Sequence, residues 1–321
     1  MTRQLPAGIE LSPFEECHLP AVLQLFERVF GAPIDERFYR WRFLDNPFGP
    51  AMVDLALDGE RLAAHYAVCA ARSSVGGAPV ATAQSMTTMT APEYGGKGLF
   101  PALADHLYER IARDHDVRAV FGFPNPNSHY SFRHKLGWQD LFALFFLRRE
   151  MAKAQAEAWQ VLDAADQQRL VTAGSPGHGS RLYERSWAFH QWRYLNNPLE
   201  RYQVIGSAGA SCGTACVTRV WQDGADETKR MDIVDFVGAQ HPAELQRALT
   251  AVHGYAQEHD IAAAACWLDL GHPAYRALER LRYRPDGPIT YCGILQMGEH
   301  SSELGLDPRN WRVTMGDSDV F

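Results

Sequence analysis

The chain has 321 residues, enough for two domains of ordinary size, and 46% of them are apolar, which excludes global disorder. A formal net charge of −7, with no long run of Lys or Arg, argues against a nucleic-acid footprint. No apolar run reaches membrane-span length, Ile261 to Leu270 being too short, and Met1 to Ser12 has no signal-peptide pattern.

In chain order, Phe14 to Phe30 reads as an amphipathic helix, apolar at Leu23, Phe26 and Phe30 and ended by Gly31. Ile34 to Leu44 reads as a second helix, capped by Asp35 and stopped at Asn46-Pro47. Met52 to Leu57 and Leu62 to Ser73 are strands around an Asp58-Gly59 hairpin turn. Gly76-Gly77 leads into a third strand, Val80 to Thr90. A glycine-rich turn follows, then a helix to about Arg113 with Leu99, Leu103, Leu107 and Ile111 at helical spacing. Ala119 to Phe123 is a short buried strand, Asn127 to Leu136 a helix, and Leu141 to Arg148 a closing strand.

The turn, Pro92-Glu93-Tyr94-Gly95-Gly96-Lys97-Gly98-Leu99, holds three glycines in four residues. Without Cβ atoms its backbone can bend tightly and bring N–H groups close to a ligand at the positive end of a helix. That arrangement suits a phosphate. No Gly-Lys-Ser/Thr follows and the G-x-G-x-x-G spacing is missing, which sets aside a Walker loop and a dinucleotide fingerprint.

The chain also repeats itself. Phe38-x-x-Trp41-Arg42-Phe43-Leu44-x-Asn46-Pro47 recurs as Phe189-x-x-Trp192-Arg193-Tyr194-Leu195-x-Asn197-Pro198, 151 residues later. Strands at Tyr202–Ser207, Thr214–Trp221 and Arg230–Val237 follow, then a helix at Pro242–Glu258. A strand at Ala262–Leu268, a helix at Pro273–Leu281 and a closing strand at Ile289–Met297 complete the second copy. The repeat predicts two tandem copies of one mixed α/β fold, residues 1–152 and 181–298; the mostly antiparallel sheet flanked by helices in each is what the family resemblance given below implies. Residues 153–180 are the link, helical over Lys153 to Leu170 and flexible over Gly174 to Ser180. Residues 299–321 are a tail with a short strand at Trp311–Met315 and an acidic turn; it packs through Trp311, or else offers Asp317 or Asp319 to a cationic substrate.

The second copy has Phe236-Val237-Gly238-Ala239-Gln240-His241-Pro242 where the first has its glycine loop. It is expected to keep the architecture and to have lost cofactor binding. Trp41, Arg42, Asn46 and Pro47, which persist in both copies, then read as a structural corner. The cysteines Cys17, Cys69, Cys212, Cys216, Cys266 and Cys292 include no C-x-x-C pair and read as free thiols of a reducing, cytoplasmic protein. Cys212 and Cys216 would share a strand face, but no His stands at ligand spacing, so no metal is expected.

The element order α-α-β-β-β-α-β-α-β and the loop after Thr90-Ala91-Pro92 together resemble the GNAT acyltransferase superfamily, in a tandem two-domain arrangement. Gly95 and Phe100 differ from that family's usual residues. The resemblance implies acetyl-CoA or another acyl-CoA as cofactor. Its pantetheine arm would lie on the backbone of Thr88, Met89 and Thr90, and its pyrophosphate on Gly95, Gly96, Lys97, Gly98 and Leu99. Asn125, with Asn127 as second choice, and Ser128 would stand near the thioester, and Gly137-Trp138 matches the family's Gly-aromatic ending of the next helix.

The resemblance further implies direct transfer to the amine of a small molecule, such as an amino sugar or an amino-acid-like metabolite. Arg133 occupies the position of the family's usual acid, a Tyr, so Tyr130 and then His134 are the acid candidates, and Glu93 is a candidate base. Met86 and Met89 either line an acyl pocket or fill the core. Two other readings remain: an aminoacyl-tRNA-dependent transferase, which would favour a basic groove, and a non-catalytic acyl-CoA-binding protein.

Overall fold

The computed structural model describes residues 5–152, 154–174, 179–209, 212–222, 224, 227–298 and 304–320. Ser175 to His178, expected to be flexible, lie outside the described residues, as do Lys153 and the start of the tail, 299–303.

Strand β1 (Ile9–Pro13) precedes helix α1 (Leu19–Phe30), which is ended by Gly31 at φ 77°. Pro13 belongs to β1 and Glu16–His18 form a separate 3-10 turn, so α1 starts five residues after the Phe14 start expected of it. Pro20 accounts for this, because it is tolerated only in a helix's first turn. Helix α2 (Glu36–Tyr39) is capped as expected by Asp35, whose carboxylate accepts from Arg37 N, and runs into a π-helical turn, Arg40–Leu44. Strands β2 (Met52–Asp58), β3 (Arg61–Val75) and β4 (Ala78–Thr90) lead to helix α3 (Leu99–Asp114). Strand β5 (Ala119–Gly122), helix α4 (Pro126–Lys135) and strand β6 (Gln139–Glu150) follow.

The stretch read as a helical link instead forms strand β7 (Trp159–Val161) and helix α5 (Ala164–Ala173). These are the counterparts of β1 and α1, so the second copy begins well before residue 181. Strand β8 (Ser180–Arg181), helix α6 (Trp187–His190) with a second π-helical turn (Gln191–Leu195), β9 (Tyr202–Ser207), β10 (Thr214–Gln222) and β11 (Lys229–Gly238) come next. Helix α7 (Pro242–Glu258), β12 (Ala263–Cys266), α8 (Pro273–Arg280), β13 (Arg284–Gln296) and β14 (Trp311–Arg312) finish the chain. Cys212 precedes β10 rather than sharing its face with Cys216.

The chain forms two compact units: Met1–Ser73 with Pro79–Leu141 and Tyr291–Gly305, and Ser74–Ala78 with Phe142–Thr290 and Leu306–Phe321. In the first, the sheet runs β1-β2-β3-β4-β5, and residues 293–296 of β13 pair antiparallel with β5. In the second, it runs β7-β9-β10-β11-β12, and residues 147–150 of β6 pair antiparallel with β12. The two sheet paths repeat one another strand for strand, the parallel pair β4·β5 matching β11·β12.

The closing strands are therefore exchanged, which corrects the division of the chain at residue 152. The strand expected to close the first copy closes the second unit, and the reverse. Alternation of apolar residues tells which face of a strand is buried; it does not tell which sheet edge the strand joins.

In the first unit the core is a sandwich of the sheet with α1 and α3. Val22, Leu25, Leu103 and Leu107 are all almost wholly buried, each worth about 1.5–3 kcal/mol of transfer free energy. The repeated Trp-Arg and Asn-Pro elements make the same corner in both units. Asn46 donates to Ala70 O and accepts from Phe48 N, and Asn197 accepts from Leu199 N and Glu200 N.

Candidate functional site

The site is built where β4 leaves β5. The parallel pairing covers only Ala83↔Val120 and Gln84↔Phe121, and β5 ends at Gly122 while β4 runs on to Thr90. The divergence has a local cause. Thr87 sits at φ 52°, a left-handed conformation costly for a β-branched residue. Its carbonyl accepts from His65 Nδ1 at 2.9 Å. Burial drives the His65 ring to a pKa of about 4, so it is neutral, and the Nδ1–H tautomer is fixed by that carbonyl. Ala91 N still donates to Ala63 O, so β4 stays attached to β3 while its other edge opens. Thr88, Met89 and Thr90 lie on this free edge.

Below the fork runs a chain of buried polar groups. Trp138 Nε1 donates to the Tyr108 hydroxyl, which is 2.6 Å from that of Tyr66, and Tyr66 donates to Ser85 Oγ. A Cβ on Gly122 would come within 3.2 Å of Ser85 O and 3.4 Å of the Trp138 ring, so a side chain there would press its neighbours apart by a few tenths of an ångström. Phe100 fills the layer above, edge-on to Tyr66 and Phe132.

At the end of β4, Pro92–Tyr94 make a 3-10 turn and Gly95 to Gly98 carry the chain into α3. Gly96 and Gly98 have φ of 73° and 77°, where side chains are strained. Among the described residues, the N–H groups of Gly96, Gly98, Leu99 and Phe100 donate to no protein acceptor, and α3 has no acidic residue in its first turn. Lys97 Nζ lies 4.9 Å from the centre of the Tyr94 ring, whose hydroxyl is held by Asp58 at 2.6 Å. The result is an exposed cradle of N–H donors beside a cation, which fits the pyrophosphate of an acyl-CoA. The counterpart in the second unit does not fit. Gly238 is jammed against Gly213, and Glu244 stands in the first turn of α7, bonded to Gly213 N.

The other expected residues divide. Tyr130 and His134 meet on the exposed side of α4, ring centres 4.7 Å apart, with Tyr130 62% exposed. Asn125 is the N-cap of α4: its Oδ1 accepts from Asn127 N and Ser128 N, and Ser128 Oγ donates to Asn125 O. Its side-chain carbonyl is thus committed to the helix. Arg28 Nη2 donates to both Glu93 carboxylate oxygens, at 2.9 and 2.8 Å, which holds the carboxyl below the usual range and makes it a poor proton acceptor. Arg133 is bound to Asp140 and Trp138 O. Met86 and Met89 are buried, and Met86 Sδ receives Arg42 Nε and Cys69 Sγ. Asp317 is buried on Arg185, leaving it no part in binding a cation. Trp311, fully buried, anchors the tail.

Sequence reasoning missed His65, Tyr66, Ser85 and Tyr108, because a polar residue inside an apolar run gives no sign of its partners. Among the described residues there is no cluster of metal-ligating side chains and no helix long and apolar enough to cross a membrane.

Residues 10–140 match the model of the acetyltransferase (GNAT) domain. No curated protein matches the sequence. Among solved structures, the chain is similar to a GCN5-related N-acetyltransferase from Anabaena variabilis, with a TM-score of 0.69 at 14% identity, over 92% of this chain and 74% of that one. One from Kribbella flavida gives 0.66 at 18%, over 92% and 72%. N-myristoyltransferase of Saccharomyces cerevisiae with bound myristoyl-CoA gives 0.61 at 9%, over 92% and 80%. Residues 10–140 thus match the GNAT acetyltransferase domain model, and the chain shares the fold of the GCN5-related N-acetyltransferases.

Proposed function

We propose that the protein is an acyl-CoA-dependent N-acyltransferase that acts on the primary amine of a small molecule, with acetyl-CoA as the donor. The observation that carries this reading is the free N–H cradle at Gly96–Phe100, directly after a strand whose outer edge is unpaired from Ser85 to Thr90. The acyl-CoA supplies an activated carbonyl. The chain's own part is to bind and orient. Gly96, Gly98, Leu99 and Lys97 hold the pyrophosphate, and the backbone of Thr88 to Thr90 aligns the arm and donates to the carbonyl oxygen. No covalent nucleophile is required. Tyr130 is the first choice for returning a proton to the leaving thiolate, with His134 beside it. The setting we assign to it is the reducing cytoplasm, where its six cysteines would stay free thiols.

The test is calorimetric titration of acetyl-CoA into the wild type and Lys97→Glu. Gly96 and Gly98 are unsuitable for substitution, because their φ values would strain any side chain. Lys97 is exposed, and reversing its charge should weaken binding about ten- to a hundredfold, the worth of one charge-assisted contact. No binding by the wild type would refute the reading. A second reading, a binder without transferase activity, is favoured by Arg133, whose position holds an ion pair rather than an acid. Acyl transfer to a panel of amines separates the two.

A further inference from the structure

The second unit holds a cavity of about 270 Å3 at the C-terminal end of β11. Its apolar wall is Val171, Phe236 and Val237, and its polar side includes Arg181, Glu184, Arg185, Ser186 and Gln240. Arg181 is partly buried on β8, where its backbone pairs with Arg312 and Ser74. Among the described residues its guanidinium has no hydrogen bond and no ion pair.

The nearby carboxylates explain why. Asp235 Oδ1 accepts from Phe236 N and Thr314 Oγ1, and its Oδ2 accepts from the Tyr194 hydroxyl and faces Arg185 Nε at 2.7 Å. Asp317 Oδ1 accepts from Tyr183 N and Arg185 Nη1, and its Oδ2 from Thr314 N. Both are fully used, and Arg185 is the cation they hold. Arg181 is left as a second cation whose planar fork of donors is unspent. Burial first, and then the Arg185 charge, push its pKa down, and the more distant pull of Asp235, Asp317 and Asp269 only partly offsets them.

We propose that this cavity is a ligand site, separate from the glycine-loop cradle, for a small monocarboxylate whose carboxylate bonds to Arg181 and whose apolar body lies on Val171, Phe236 and Val237. Ser186 supports it. Its oxygen accepts from Phe189 N, which leaves the hydroxyl proton to donate into the cavity. Glu184 sets the charge of the ligand, because a carboxylate in the same cavity disfavours a dianion such as phosphate. The volume suits an acid of modest size, and an Arg fork selects a planar carboxylate over a point anion.

The probes are the straight-chain alkanoates from acetate to hexanoate, benzoate, benzyl alcohol and inorganic phosphate, titrated into the full-length protein. The expected result is saturable binding of carboxylates that tightens with apolar length, with benzyl alcohol and phosphate at least tenfold weaker. Arg181→Met should lose carboxylate binding at least tenfold, and Arg181→Lys should recover only part of it. Acetyl-CoA titration should give the same result in all three proteins, so loss at the cradle and loss at this site are read separately. If Arg181→Met does not fold, a crystal structure of the wild type soaked with the tightest acid decides, carboxylate against Arg181 supporting the proposal and any other location refuting it. No saturable carboxylate binding by the wild type, or binding unchanged in a folded Arg181→Met, overturns it.

Discussion

The Tyr66 and Tyr108 hydroxyls lie 2.6 Å apart in the buried interior of the first unit, and the direction of their bond is fixed by their neighbours. Tyr66 spends its proton on Ser85 Oγ, so Tyr108 must donate to Tyr66, and Tyr108 in turn accepts from the Trp138 indole. The chain ties α3, β3 and β4 together at Ser85, one residue past the last β4·β5 pair. Burial raises both phenol pKa values, so neither is a proton donor to substrate; they brace the fork.

Removing either hydroxyl should therefore cost stability more than chemistry. Tyr108→Phe strands the Trp138 N–H and deprives Tyr66 of a donor, and should lower the unfolding free energy by about 1–3 kcal/mol. Tyr66→Phe should cost a similar amount. Because the two share one bond, the double variant should cost less than the sum of the singles. Urea denaturation of the four proteins measures this, and strict additivity would mean that the chain is not coupled.

Tyr130 and His134 compete for one role on α4. Tyr130→Phe should lower kcat about a hundredfold and leave KM for acyl-CoA unchanged, since removing a general acid touches the reaction step and not the cradle. His134→Gln should leave kcat within a few-fold. Steady-state kinetics on both variants checks this; the reverse pattern moves the role to His134.

How much of this was legible before the fold was known differs by type of signal. The glycine loop was legible because φ near +75° demands glycine, and the Trp-Arg and Asn-Pro repeat because a corner demands the same residues twice. The exchanged strands were not, since Gln139–Glu150 and Arg284–Gln296 each show an ordinary strand pattern whichever edge they join. Asn125, expected at the end of a strand, is instead the N-cap of α4, and the Glu93 side chain is held in an ion pair. Partners that far away in sequence, as with Arg28 and Glu93, leave no local trace.

The corner makes a sharper test, because the same asparagine does different work in the two copies. Asn197 uses only its oxygen, toward Leu199 N and Glu200 N, whereas Asn46 uses both ends, donating to Ala70 O at 2.8 Å. Asn197→Asp keeps both bonds, and although its carboxylate is buried too, those two N–H donors offset the burial, so it should cost less than the same change at Asn46. Asn46→Asp replaces a donor with an oxygen facing the Ala70 carbonyl at a buried site, and should cost about 1–3 kcal/mol. Chemical denaturation at neutral pH compares them, and equal costs would refute the assignment of the Asn46 amide.

Stability should fall on mild acidification, and histidines decide it. Burial lowers the pKa of His65, His190 and His253 to about 4 and of His272 to about 3, from 6.5. Above pH 6.5 these rings are neutral in both states and pH has little effect through them. As pH drops below 6.5 the unfolded chain takes up protons that the folded chain refuses, so stability decreases until the folded pKa values are reached near pH 4. Each ring contributes a slope of about 1.4 kcal/mol per pH unit within that window. Asp269 works the other way: burial raises its carboxyl to about 6 from 3.8, so the folded state gains a proton first and stability rises as pH falls between those values. Burial also raises the Asp232 carboxyl, so two carboxyls oppose four imidazoles, and the net slope is a loss. Thermal melts from pH 7.5 to 4.5 should show a continuous fall in Tm, and the slope should be shallower in His253→Gln, whose amide can still donate to Gln155 O as His253 Nδ1 does at 2.7 Å. A flat Tm across that range would mean that these four rings are not held neutral in the folded protein.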